Sequence, residues 1–149
     1  MIRRQLVILT CLLIAAGCNG NKKICDHARG LMIKDIERDR EIDKNHAPPD
    51  QRASADELAD KRVAAIQTHF VEKCMELDDK GISCMKRIDD VRTIEKEAMQ
   101  RAEVCFQKED QKQSEACIDT LRKETDERLA GCDDVIDDLM DQIDPEQQK

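Results

Sequence analysis

Residues 54–77 read SADELADKRVAAIQTHFVEKCMEL, and in them Ala59, Val63, Ile66, Phe70, Cys74 and Leu77 recur at steps of three or four. That rhythm sets one apolar stripe along an α-helix, because residues three and four apart share a face. Ser54 and Glu57 form a capping-box pattern at its start, and Gly81 is a natural stop after its end. The same rhythm extends in both directions. A first helix is expected over residues 24–45, with Ala28, Leu31, Ile36 and Ile42 near one face. It should stop at His46-Ala47-Pro48-Pro49, since proline lacks an amide donor and restricts the residue before it. A third is expected over residues 82–106, with Met85, Ile88, Val91, Ala98, Ala102 and Cys105 inward. The last spans residues 114–143 on Ile118, Leu121, Thr125, Leu129, Cys132, Ile136, Leu139 and Ile143, before Pro145. Runs of β-branched residues alternating with period two are missing, so strands have little support. The expected fold is all-α: a small bundle of about four helices, partly coiled-coil-like and stapled by disulfides.

The start of the chain has another character. Arg3 and Arg4 precede an uncharged stretch, Leu6 to Ala16, and the small residues Ala15, Ala16 and Gly17 lead into Cys18. A basic start, a short apolar run and small residues at the cut describe a secretory signal. A permanent membrane span needs about 20 apolar residues, and this run has about 11. Ala15-Ala16-Gly17-Cys18 also resembles the lipobox of bacterial lipoproteins, a resemblance confined to residues 1–18. Ala15 stands where that family prefers leucine. The resemblance implies that Cys18 receives a diacylglycerol through its sulfur, that the chain is cut before it, and that the new amine is acylated. Residues 1–17 are then signal, 18–23 a lipidated tether, 24–144 the helical domain and 145–149 a tail. One acyl chain holds a protein only marginally, whereas two or three hold it stably. Five residues of tether span under roughly 20 Å, so the domain should sit beside the lipid. Asn19, by the sorting habit of enteric lipoproteins, points to the outer membrane.

Export sets the reading of the cysteines. Of the eight, Cys11 leaves with the signal and Cys18 is taken by lipid, leaving Cys25, Cys74, Cys84, Cys105, Cys117 and Cys132. An even set in an oxidising compartment reads as three disulfides. Units around Cys74-Met75 and Cys84-Met85, and around Cys105-Phe106 and Cys117-Ile118, form a weak repeat. Local bridges Cys74–Cys84 and Cys105–Cys117, with Cys25–Cys132 tying first helix to last, are the favoured set. The alternative, Cys74–Cys117 with Cys84–Cys105 across a hairpin, is similar to the coiled-coil-helix proteins. The local set demands a chain reversal within Cys74–Cys84 and within Cys105–Cys117, because a bridge requires Cα atoms within about 7 Å.

Composition narrows the function. Loss of Arg3 and Arg4 with the signal moves the formal charge from −8 to about −10, with 23 basic residues against 33 acidic. An acidic chain without a basic stripe is a poor partner for nucleic acid. Phe70 and Phe106 are the only aromatics, little material for the apolar walls of a ligand cavity. Asp133, Asp134, Asp137, Asp138 and Asp141 resemble the aspartate-rich motif of prenyl-chain enzymes, but they alternate with Val135, Ile136, Leu139 and Met140 as on a solvated amphipathic face. His27, His46 and His69 are scattered. Cys25-Asp26-His27 lacks the second cysteine of a haem-attachment motif. No catalytic residue, metal ligand or cofactor is expected. The expected partners are the membrane, through lipid on Cys18, and another envelope protein contacted by the charged helix faces. A structural or protective envelope lipoprotein is the alternative, and a small hydrolase or metal-binding protein a third.

Overall fold

The computed structural model describes the backbone of residues 2–46 and 48–144, and side chains from Gly20 onward except residue 47. Six helices follow one another: α1 Ile2–His46, α2 Pro49–Met75, α3 Asp79–Lys86, α4 Ile88–Phe106, α5 Gln111–Leu129 and α6 Cys132–Ile143. There is no strand among the described residues. The all-α class stands; the count of four becomes six, because two of the expected helices are each broken once.

The first break is at Arg87, whose φ of −97° and ψ of 12° leave the helical region between α3 and α4. The second falls at Ala130 and Gly131, both left-handed, at φ 53° and 74°. Such a pair ends one helix and turns the next away from its axis. Apolar spacing runs through both breaks, so periodicity alone does not reveal them. Gly131 was the available signal.

Other boundaries move as well. Pro49 opens α2 instead of only closing α1, as a proline in the first turn can, since its missing donor has no partner there anyway. Ser54 therefore lies inside α2, where its hydroxyl donates to the Gln51 carbonyl, and the Ser54/Glu57 box is not used. Gly81 does not stop α2, which ends at Met75. It lies buried within α3, whose cap Asp78 accepts from the Gly81 amide at 2.7 Å. A Cβ at residue 81 would lie 2.8 Å from the Leu77 Cβ, an atom fixed to its own backbone. Gly81→Ala should therefore cost about 1–3 kcal/mol through overpacking. Urea denaturation would show it, and an unchanged midpoint would mean that this contact yields freely.

Apolar side chains gather in two clusters. The larger joins α1, α2, α3, the first residue of α4 and α6 through Cys25, Ala28, Leu31, Ile66, Phe70, Cys74, Met85, Ile88, Leu139 and Ile143. Phe70 and Ile66 are each 1% exposed, and each such side chain contributes roughly 1.5–3 kcal/mol by leaving water. The smaller cluster, at the base of α4 and α5, holds Cys84, Val91, Ile94, Leu129 and Cys132. Val135 and Ile136 on α6 touch both. Ile42, expected on the inner face of α1, is instead 50% exposed, because α1 outruns the core toward its end. There the α1–α2 pair is held by charge: Arg40 bonds Asp60 and lies 3.6 Å from Asp56.

Candidate functional site

Two parts of the molecule bear on function: the entry of α1, where an anchor would attach, and the α4–α5 hairpin.

The expected acyl acceptor Cys18 has a side chain outside the described residues, as do those of the small residues before it, and residues 145–149 likewise lie outside them. The described stretch just after Cys18 differs from expectation. Gly20 to Lys23 are already helical in α1, where a linker ahead of the first helix was expected. Lys22 bonds Asp26 one turn on at 2.7 Å, and Arg29 meets the same carboxylate at 3.1 Å. These cations hold the Asp26 carboxyl below its ordinary range, the Lys22 bond acting most strongly. At 1.5 Å per helical residue, against up to about 3.6 Å extended, the reach of this stretch is less than half that of a fully extended chain. Among the described residues no helix is long and apolar enough to cross a membrane.

The six described cysteines are all paired. Cys25 joins Cys74, Cys84 joins Cys132, and Cys105 joins Cys117, with Cα separations of 5.8, 5.2 and 5.6 Å. Of the favoured set only Cys105–Cys117 is found. Cys74–Cys84 and Cys25–Cys132 are corrected, and the hairpin alternative is absent too. The reason lies in the packing. Antiparallel α2 lays Cys74 on α1 beside Cys25, inside the larger cluster. Cys84 instead faces α6 from the smaller one. Two cysteines ten residues apart thus belong to different parts of the core. Their thiols are consumed, so neither Cys25 beside His27 nor any other described cysteine offers a thiolate to act as nucleophile or ligand.

The other weighed residues separate likewise. His27 bonds Asp89 at 2.7 Å on the surface, tying α1 to the start of α4, while His46 and His69 are exposed elsewhere. The α6 aspartates flank Glu95 of α4. Burial raises the Glu95 carboxyl, then Asp137, Asp133 and Asp35 push it further, against Arg92. Burial also raises Asp137, with Asp133, Asp141, Asp134 and Asp138 adding to it. No group of three or more candidate metal ligands comes together among the described residues. Burial first and like charge second thus raise both carboxyls, and the sign of the effect is testable. Where folded pKa values lie above the unfolded ones, the native state binds the extra proton, so stability rises as pH falls through the raised values and the cost is gone below the ordinary range. Glu95→Gln should thus raise Tm at pH 7, and the gain should shrink by pH 4. A gain that grows on acidification would reverse the sign.

The α4–α5 hairpin is the part that the two clusters do not explain. Its base packs on α3 and α6, but beyond Ile94 and Leu129 neither cluster continues. The outer half is held by the Cys105–Cys117 bridge, buried Leu121, and ion pairs Arg101–Glu124 at 2.7 Å and Glu97–Arg128 at 2.8 Å. The tip turns at Asp110, whose carboxylate caps α5 through the Lys112 amide. Three large apolar side chains stand out from this arm: Met99, Val104 and Phe106, at 63%, 62% and 71% exposure. Phe106 is one of only two aromatics in the chain. Sequence reading did not single out these residues as a surface. The signal was their absence from the inward rhythm of α4. An apolar hollow of about 220 Å³ lies between α1, α2 and α6 over Ile36, Ala65, Ile66, Met140 and Ile143. Its rim is crossed by Arg62 and Asp144, 3.5 Å apart.

Comparison with known proteins yields no matching family model, no matching curated protein and no matching solved structure.

Proposed function

We propose that the chain is a lipid-anchored envelope protein, fixed through Cys18 to a bacterial membrane, most simply the outer one, and acting there as a non-enzymatic protein-interaction module. The observation that carries the interaction reading is the outer α4–α5 hairpin. A two-helix arm without a core of its own is marginal in water. This one is covalently closed at its end while leaving Met99, Val104 and Phe106 exposed. A rigid element presenting apolar side chains suits protein contact, since binding then costs little ordering. The paired cysteines fit an oxidising compartment, and the basic-apolar-small order of residues 3–18 fits export and acylation.

In-cell crosslinking of the acylated protein, with photoreactive residues distributed over every helix face, tests this reading. One partner recovered in stoichiometric amount is the expected result. Uniform absence of adducts, with the protein correctly anchored, would favour a structural or protective envelope role.

A further inference from the structure

We propose that the Cys105–Cys117 bridge is a redox-exchangeable clasp, opened selectively by an external dithiol, and that its opening loosens only the outer arm. The three bridges differ in where their sulfurs lie. Cys25 and Cys74 belong to the larger cluster and Cys84 and Cys132 to the smaller, none more than 3% exposed. Cys105–Cys117 belongs to neither cluster. Both its cysteines line a surface hollow of about 340 Å³ on the flank of the arm, beside Val104, Thr120 and Leu121. Cys105 is itself buried, but Cys117 is the one described cysteine that is not.

Exchange begins when a thiolate reaches a bridge sulfur in line with the S–S bond. Cys117, at the hollow, is the end open to that attack. The S–S bond breaks, Cys105 leaves as a thiolate and takes a proton from water, and Cys117 is held in a mixed disulfide with the dithiol. The reagent's second thiolate then attacks the reagent's own sulfur. That closes the reagent to a disulfide and frees Cys117, which is protonated in turn. Two electrons and two protons pass to the bridge, and the dithiol is oxidised. Attack on either other bridge first requires opening a core cluster, whereas this one requires none. After reduction the outer half keeps buried Leu121 and the ion pairs Arg101–Glu124 and Glu97–Arg128, whose side chains are half exposed. Such exposed pairs hold little. The last turn of α4, with Val104 and Phe106, should then fray while both clusters stay closed. Reclosure is simple as well. A loop of 12 positions costs less entropy to close than loops of 49 and 48, and the other four described cysteines are already paired.

The test treats the full mature chain, in detergent micelles under native conditions, with dithiothreitol, then alkylates it and maps the labelled cysteines by mass spectrometry. Cys105 and Cys117 should be labelled at least about tenfold faster than the other four. Ile66→Val, which loosens the larger cluster, should speed labelling of Cys25 and Cys74 and leave the arm's rate unchanged. Hydrogen exchange on the arm-alkylated protein should quicken at the end of α4 and the start of α5, with α2 and α6 unchanged. Oxidised glutathione, added to the reduced and unalkylated chain, should restore Cys105–Cys117 alone. Labelling of all six cysteines together, or arm labelling that Ile66→Val accelerates as much as it does Cys25 and Cys74, would mean that only global opening admits the dithiol and would overturn the proposal. So would an arm whose exchange is unaltered by reduction, or a bridge that re-forms with another partner.

Discussion

Cys18→Ser should leave the protein unprocessed and out of reach of fatty-acid labelling. A serine hydroxyl cannot form the thioether that precedes cleavage in proteins with this signal, so both steps should fail together. In the proposed anchoring the effect is close to all-or-none, because the acyl chains would supply the attachment: each buried methylene adds about 0.8 kcal/mol, and none would be present. Labelling with a tagged fatty acid, followed by membrane fractionation, reads it directly. The helical body should be unaffected, since its described core begins at Cys25. A mature, membrane-held serine variant would show that some other part of the chain provides the attachment.

Replacing Cys25 and Cys74 together by alanine should cost about 4 kcal/mol, the chain-entropy value for a loop of this length. The bridge spans 49 positions and lies fully buried between α1 and α2, in the cluster that contains Phe70 and Ile66. For a domain of this size that corresponds to a fall in Tm on the order of 15 °C. The double replacement avoids a lone thiol that could attack another bridge. Removing Cys105 and Cys117 should act differently. Their loop of 12 positions closes only the arm, so hydrogen exchange should quicken at the ends of α4 and α5 while the larger cluster keeps its protection. Loss of under about 1 kcal/mol from the Cys25/Cys74 variant would mean that packing alone fixes the α1–α2 pair.

Much of this architecture was readable in the residues. The stripe of Ala59, Ile66, Phe70 and Cys74 is the buried face of α2, and Leu121, Leu129, Cys132, Leu139 and Ile143 are buried as their spacing implied. Periodicity reports a face, and that face survives a bend. This is why the breaks at Arg87 and Ala130–Gly131 went unseen although the inward residues on either side were correctly placed. Bridge pairing was less legible, because it depends on how helices cross. Cys74 and Cys84 are near in sequence, yet α2 turns one toward α1 and α3 turns the other toward α6. The arm was harder still. Met99, Val104 and Phe106 are unremarkable as letters in an amphipathic helix; what distinguishes them is that the smaller cluster ends before reaching them, a fact of tertiary packing.

The three bridges also divide the molecule as a covalent graph. One closed ring runs from Cys25 to Cys74, another from Cys84 to Cys132, with the third nested inside the second. No sulfur link passes between the rings, so residues 75–83 are their sole covalent connection. A protease cutting there would leave two pieces joined only by side-chain packing, which separate on a non-reducing denaturing gel. A cut at the tip, between Gln107 and Asp110, would leave one band until the sample was reduced.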